Sequence, residues 1–155
     1  MAKKNYSLKA KQLIEQYTII SAGSGFIPVI GLDVIANTAI QMDLTKKLCN
    51  LYHLKYEEAQ LRAFLNALVG STAARVYATG TKSLLKLIPG VGTMIGGAVV
   101  GLYAAASTYA SGEVFKMHIE NGGTLNDFDV QAMQKYYKIK IEEGIEFIER
   151  WRGNR

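Results

Sequence analysis

The side chains that could do chemistry in this sequence are few and lie far apart. His53 and His118 have no second histidine four residues away, so neither belongs to a recognisable metal-binding pattern. Cys49 is the single cysteine, and its immediate neighbours Leu48 and Asn50 carry no positive charge that would lower the pKa of the thiol. We therefore predict no metal site, and we interpret Cys49 as a small packed residue in a reducing compartment.

Asp33 follows a proline-glycine corner directly and lies between Leu32 and Val34. A general base would need a histidine, a second carboxylate or a nucleophile beside it, and the sequence shows none. An aspartate at the start of a helix stabilises the exposed amides and the positive end of the helix dipole. We interpret Asp33 as such a cap and predict a non-enzymatic protein without a cofactor. An enzyme built on Asp33 and Gln41 is the rival hypothesis.

A glycine-rich run over residues 87–112 contains no Asp, Glu, Lys, Arg or His. Its glycines Gly90, Gly92 and Gly96 miss the dinucleotide-binding spacing G-x-G-x-x-G by one residue. The nearby Gly80-Thr81-Lys82-Ser83 lacks the earlier glycine of a phosphate-binding loop, and its lysine does not follow the glycine directly. We therefore predict that this chain binds no nucleotide.

The same run is long enough to cross a bilayer, which takes about 20 residues. Gly92-x-x-x-Gly96 and Gly97-x-x-x-Gly101 also have the spacing of helices that pack closely in lipid. Its side chains are mostly small, however, and gain little free energy on transfer into lipid. We favour a helix inside a bundle, with Gly96, Gly97 and Gly101 as its close-packing surface and the preceding helix as its partner. A hairpin that inserts into a membrane stays open as the alternative.

The periodicity of apolar residues predicts five helices, over about residues 7–24, 31–54, 56–80, 93–120 and 126–151. The apolar side of the first helix is formed by Ala10, Leu13, Ile14, Tyr17 and Ile20. The second has an apolar face made of Leu32, Ile35, Ala36, Ala39, Ile40, Leu44, Leu48 and Leu51. Its opposite face includes Asn37 and Gln41. The third is apolar almost all round over residues 63–74, which predicts a central helix. The fifth has an apolar stripe of Val130, Met133, Tyr137, Ile141, Ile145 and Ile148.

Two corners of the form Ile-Pro-x-x-Gly, at residues 27–31 and 88–92, join the first four helices in pairs. A proline stops one helix, and a glycine lets the next helix pack closely. The corner residues are Pro28, Gly31, Asp33, Pro89, Gly90 and Gly92. We predict one all-α domain over residues 1–155, with a core at about 7–120 and a C-terminal amphipathic helix at about 126–151. Four polar residues in apolar sequence belong either to a buried hydrogen-bond network or to a small groove, namely Asn37, Gln41, Asn66 and Arg75.

The chain carries 18 Lys and Arg against 13 Asp and Glu, a net charge of +5, and most of the excess lies near the two ends. With 49% apolar and 20% charged residues, it is too apolar to be disordered. A basic excess suits an anionic membrane surface. The sequence has no basic strand interleaved with aromatic residues, no recognition helix and no metal-stapled finger, so we predict no nucleic-acid binding.

Several motifs resemble the bacterial domain of unknown function 697 over about residues 19–112. They are I-P-V-I-G-L-D-V, then Ala39, Gln41 and L-C-N-L-Y, then L-I-P-G-V-G-T-M-I-G and Thr108-x-x-x-Gly112. That family has an I-P-x-x-G-x-D corner, a helix ending in L-x-x-L-Y-G and a second I-P-G-V-G corner. The resemblance implies no enzymatic activity, and it gives the two corners an architectural role. This chain departs from the family in having His53 where glycine is usual.

Such domains are often fused behind small GTPase domains or occur in proteins associated with the inner membrane. This chain has no GTP-binding half, so the resemblance implies at most a GTPase partner in trans. We therefore expect a non-enzymatic helical interaction module of the bacterial cytoplasm that associates with a protein partner, with itself, or with the inner membrane through the glycine-rich hairpin. An integral or conditionally inserting hairpin protein is the alternative.

Overall fold

The computed structural model describes residues 2–24, 32–79 and 97–154 of the chain. Over these ranges the backbone forms five α-helices and no strand: α1 (Ala2–Ser24), α2 (Leu32–Leu51), α3 (Glu58–Thr79), α4 (Gly97–Glu120) and α5 (Val130–Gly153). A short 3-10 helix, Leu125–Asp127, lies between α4 and α5. The prediction of an all-α fold with five helices is confirmed. The predicted corner residues Pro28, Gly31, Pro89, Gly90 and Gly92, and also Gly96, lie outside the described residues.

Helix α4 lies at the centre and packs mainly against α1 and α5, and also against α2. Helix α1 runs antiparallel to it, since Ile14 lies beside Gly112 and Ser21 beside Thr108. Nearly all side chains of α4 over residues 101–115 are buried, and Tyr103 is among the few that are half-buried. The prediction that the uncharged run lies inside a bundle agrees with this burial over residues 101–112.

Small residues let the helices around α4 approach its backbone. A Cβ atom added at Gly112 would lie 2.7 Å from Cγ1 of Ile14. A Cβ atom added at Gly144 of α5 would lie 2.9 Å from the backbone Cα of Ala106 and 3.0 Å from Cβ of Tyr109. Atoms this close leave no room for a larger side chain, because protein interiors are packed as densely as organic crystals.

Over the described residues helix α3 lies at the edge of the bundle, and there the predictions that it is the central helix and the partner of α4 are wrong. Ala63, Ala67 and Gly70 are exposed, whereas Leu61 and Leu68 are buried and form part of its inward face. Helix α4 packs chiefly against α1 and α5 instead. The physical reason is that alanine and glycine carry little apolar area, so leaving them in water costs little free energy.

The buried faces of α1 and α2 contain polar side chains, and the periodicity placed some residues of both helices on the wrong face. Ile20, predicted on the apolar side of α1, is 54% exposed, while Thr18 and Ser21 are fully buried. Gln41, predicted on the polar face of α2, is 2% exposed, while Ala39 from the predicted apolar face is exposed. These predictions are wrong because a polar side chain can be buried when another helix supplies a hydrogen-bond partner.

Helix α2 ends at a residue with left-handed backbone geometry. His53 has φ 57°, and its amide donates to the carbonyl of Asn50 at 3.2 Å, while the amide of Leu54 donates to the carbonyl of Cys49 at 2.8 Å. Helix α4 ends with the same pattern at Gly122, which has φ 86°. Glycine is the usual residue at this position because it lacks the Cβ atom that strains a left-handed backbone.

We predict that His53→Gly raises the free energy of unfolding by about 1 kcal/mol, because glycine removes the strain of a left-handed residue. Urea denaturation measures the change. His53→Ala keeps a Cβ atom at the same backbone angles and is the matched control, for which no comparable gain is expected. A gain of the same size for His53→Ala would show that loss of the imidazole, and not backbone strain, is responsible.

Candidate functional site

A set of neutral polar side chains lies in the interior between α1, α2, α4 and α5, and we call it the polar seam. Its members are Ser21, Asn37, Gln41, Ser107, Thr108 and Tyr137. All except Asn37 are buried, and Asn37 is half-buried.

One half of the polar seam joins α1, α2 and α4. The hydroxyl of Ser21 donates to Oδ1 of Asn37 at 2.5 Å. The hydroxyl oxygen of Thr108 lies 3.1 Å from the same amide oxygen, 3.0 Å from the hydroxyl of Ser21 and 3.0 Å from the carbonyl oxygen of Ala104. Three helices thus meet at one amide and two hydroxyl groups.

The other half joins α2, α4 and α5. The side-chain amide of Gln41 donates to the hydroxyl of Ser107 at 2.9 Å, and that hydroxyl lies 2.8 Å from the phenol oxygen of Tyr137. Burial raises the pKa of the Tyr137 phenol well above its usual range, so the phenol stays protonated at neutral pH. Gln41 and Ser107 are neutral as well, so this half is a set of uncharged dipoles.

The chemistry of the polar seam is therefore binding and positioning within the protein. Its six members are hydroxyl and amide side chains, and it contains no carboxylate, imidazole, amine or thiol. General acid-base catalysis needs a group that can exchange a proton near neutral pH, which these side chains cannot do. In addition, the described residues include no group of three or more His, Cys, Asp and Glu that could hold a metal ion.

The structure brings together two of the four polar residues singled out from the sequence. Asn37 and Gln41 lie in the polar seam, whereas Asn66 is exposed on α3. Arg75 lies in α3 and Asp33 in the first turn of α2, and the side chains of both fall outside the described residues. Of the glycines predicted to form a close-packing surface, Gly101 is buried in α4, and Gly97 is the first residue of that helix.

Sequence reasoning missed a half-buried group of charges at the C-terminal half of α4. Glu113, which is 8% exposed, pairs with Lys116 at 3.5 Å, and Lys140 pairs with Glu143 of α5 at 2.5 Å. Burial, and then the charges of Glu113 and Glu143, raise the pKa of Tyr109 to about 12. Each pair lies within one helix, so the charges compensate one another locally and the group offers no free charge to a ligand. In each pair the two residues lie three positions apart on a helix, and this spacing is the sequence pattern that could have predicted the pairs.

The two histidines and the cysteine occupy structural positions. The ring Nε2 of His118 lies 2.7 Å from the carbonyl oxygen of Thr124, and the ring packs edge-on against Phe128. His118 thereby holds the turn between α4 and α5. His53 lines an open cleft at the corner of α2 and α3. Cys49 is fully buried, and this burial raises the pKa of its thiol to about 11, so the thiol is unreactive.

The fold and the polar seam define a class of protein: a helical bundle whose helices pack through small residues and through hydrogen bonds between uncharged side chains. Of the helices within the described residues, none combines the length and the mean hydropathy that crossing a membrane requires. The chain belongs to the family described as Domain of unknown function (DUF697), whose sequence model matches residues 1–142.

The chain is also similar to Magnetosome membrane protein 22 of Magnetospirillum gryphiswaldense. The two sequences are 36% identical over 140 residues, which is 88% of this chain and 71% of that protein. No solved structure matches the chain. The resemblance to the family that the two corners indicated is therefore confirmed, and a related protein is a membrane protein by name.

We predict that Gln41→Met lowers the free energy of unfolding by about 1–2 kcal/mol, because it removes a buried hydrogen bond at similar volume. Tyr137→Phe should have an effect of the same order. Since both partners contact Ser107, the double variant should depart from the sum of the single effects by at least about 0.5 kcal/mol. Urea denaturation of the unaltered chain, the two single variants and the double variant completes this double-mutant cycle.

Asn66→Ala on the exposed face of α3 is the control and should change stability by less than about 0.5 kcal/mol. Additive effects would show that the seam is not a connected network.

Proposed function

We propose that this chain is a non-enzymatic accessory module that attaches to the cytoplasmic side of a membrane and takes part in a protein assembly there. The observation that carries the proposal is its 36% identity, over 88% of its length, to a protein whose name describes it as a magnetosome membrane protein. The chemistry of the polar seam supports a module that binds, because its side chains hold helices together and offer no group for catalysis.

The packing of α4 supports attachment at the surface over insertion. Residues 101–112, the described later part of the uncharged run, are largely covered by α1 and α5. Insertion of a hairpin over residues 87–112 would take these residues out of their protein contacts. It would also separate Ser107 and Thr108 from Gln41, Asn37 and Tyr137, and a buried polar group that loses its partner costs about 1–3 kcal/mol.

We also propose that residues 1–155 act as one folding unit. The buried apolar cluster contains residues from every described helix, from Ala10 of α1 to Ile148 of α5, and it includes Leu125 and Phe128 in the turn before α5. Most single-domain proteins of about this size, with one continuous core, unfold in a single cooperative transition. The C-terminal helix is then part of the core and not a separate arm.

Fractionation of bacterial cells that express the full chain tests the proposed function. We expect the protein in the membrane pellet at low ionic strength and its release by high salt or alkaline carbonate, because attachment through surface charge is screened by salt. An integral membrane protein and a soluble enzyme of the same cells are the markers. Recovery of all the protein with the soluble marker would overturn membrane attachment. Retention with the integral marker through salt and carbonate would instead support the inserting hairpin.

A further inference from the structure

Helix α1 carries most of the net positive charge of the chain, three of the five excess positive charges. It contains four lysines, Lys3, Lys4, Lys9 and Lys11, against the single carboxylate of Glu15. The other described helices are close to neutral; α5, for example, has five basic and four acidic residues. The side chain of Lys11 is 59% exposed, and Lys9 is exposed as well. Glu15 lies 3.8 Å from Lys11 and is only partly exposed, so the outward charge of α1 is positive.

The same helix exposes large apolar side chains. Among the described residues, the large hydrophobic side chains that are exposed are Leu8 (57%), Ile20 (54%) and Ile139 (47%), and two of these three belong to α1. Leu8, Gln12, Gln16 and Ile20 follow one another at intervals of four residues, and all four are exposed. Successive residues at this interval are neighbours on a helix surface, each offset by about 40°, so the four form a row that winds about 120° around the outer side of α1. We call these four residues the outer row of α1.

The outer row lies opposite the side of α1 that packs into the bundle. Ala10, Ile14, Tyr17, Thr18 and Ser21 are buried on the inward side. The row itself carries no charge, and Lys9 follows Leu8 directly, while Lys11 lies one turn further along the helix. The row thus places exposed apolar side chains beside lysines, a combination that helices in the plane of a membrane surface use on a larger scale.

We propose that the outer row of α1, together with Lys9 and Lys11, docks onto the headgroup surface of an anionic lipid bilayer. This inference rests on the proposed function, attachment to a membrane, and names the surface that makes the contact. Leu8 and Ile20 enter the boundary between headgroups and acyl chains, and the lysine side chains extend their methylene groups along it and keep their ammonium groups among the lipid phosphates.

The chemistry of the row favours lipid over a protein groove. Helix-in-groove recognition uses a continuous apolar stripe with anchors at intervals of three or four residues. Here two glutamines separate Leu8 from Ile20, so the apolar area is small and divided. An anionic surface, in contrast, attracts each nearby lysine independently, at about 1 kcal/mol or roughly a fivefold gain in affinity per residue. Binding should therefore be reversible and sensitive to salt.

Cosedimentation of the full chain with vesicles tests this inference. The probes are vesicles of phosphatidylcholine alone and vesicles that also contain phosphatidylglycerol. We expect binding to the anionic vesicles and much weaker binding to the neutral ones. The charge variant Lys9→Glu with Lys11→Glu should weaken binding by at least about tenfold. The apolar variant Leu8→Gln with Ile20→Gln should weaken it by about tenfold as well.

Matched controls lie on α5. Lys135→Glu with Lys138→Glu makes the same change in net charge at two exposed lysines, and Ile139→Gln removes an exposed apolar side chain. Both should bind anionic vesicles within about twofold of the unaltered chain, because their positions lie outside the outer row. Circular dichroism melts of all variants check that folding is retained, which is expected because every altered residue is exposed.

The outcomes separate the inference from the proposed function. Equal losses for the α1 variants and the α5 controls would overturn docking by α1, while membrane attachment would stand. A chain that pellets with cell membranes and binds neither vesicle would also overturn docking on lipid, and would point to a protein partner as the receptor. A chain that neither pellets with cell membranes nor binds vesicles would overturn the proposed function itself.

Discussion

The close approach of α4 to its neighbours is the constraint on which the rest of the structure depends. Gly112 admits the side chain of Ile14 from α1, and Gly144 of α5 lies against the backbone of Ala106. At these distances dispersion attraction between many pairs of atoms stabilises the helix contacts, and large buried side chains are not needed there. An interior of this kind needs no aromatic or leucine-rich centre in α4, and that explains how a run of Gly, Ala, Ser and Thr can form the middle of a bundle.

The polar seam follows from this packing. Helices that approach so closely bring short hydroxyl side chains within reach of one another, and each buried polar group then needs a partner. One set of hydrogen bonds joins α2, α4 and α5 and is formed by Gln41, Ser107 and Tyr137. The other set joins α1, α2 and α4 and is formed by Ser21, Asn37 and Thr108. Because each bond requires a particular pairing of residues, the seam fixes how far the helices slide along one another.

Features that depend on residues close together in the chain could be predicted from the sequence. Apolar periodicity predicted five helices, and the fourth, predicted to end at about residue 120, ends at Glu120, two residues before the left-handed Gly122. Features set by other helices could not be predicted in this way. Whether Gln41 faces inward depends on Ser107, which is 66 residues away in the chain. The exposure of Ile20 and the edge position of α3 depend likewise on which neighbours compete for the same space.

The central claim is that α4 is held by contacts too close for any Cβ atom, and the most direct measurement is a comparison of two glycine-to-alanine variants by urea denaturation. Gly144→Ala would place its methyl group 2.9 Å from the Cα atom of Ala106, whereas Gly70→Ala on α3 has no atom within 4 Å of the new group. The account predicts a loss of about 1–3 kcal/mol for Gly144→Ala and a gain of about 0.5–1 kcal/mol for Gly70→Ala, since alanine favours a helix over glycine. Equal stability gains for both variants would contradict it.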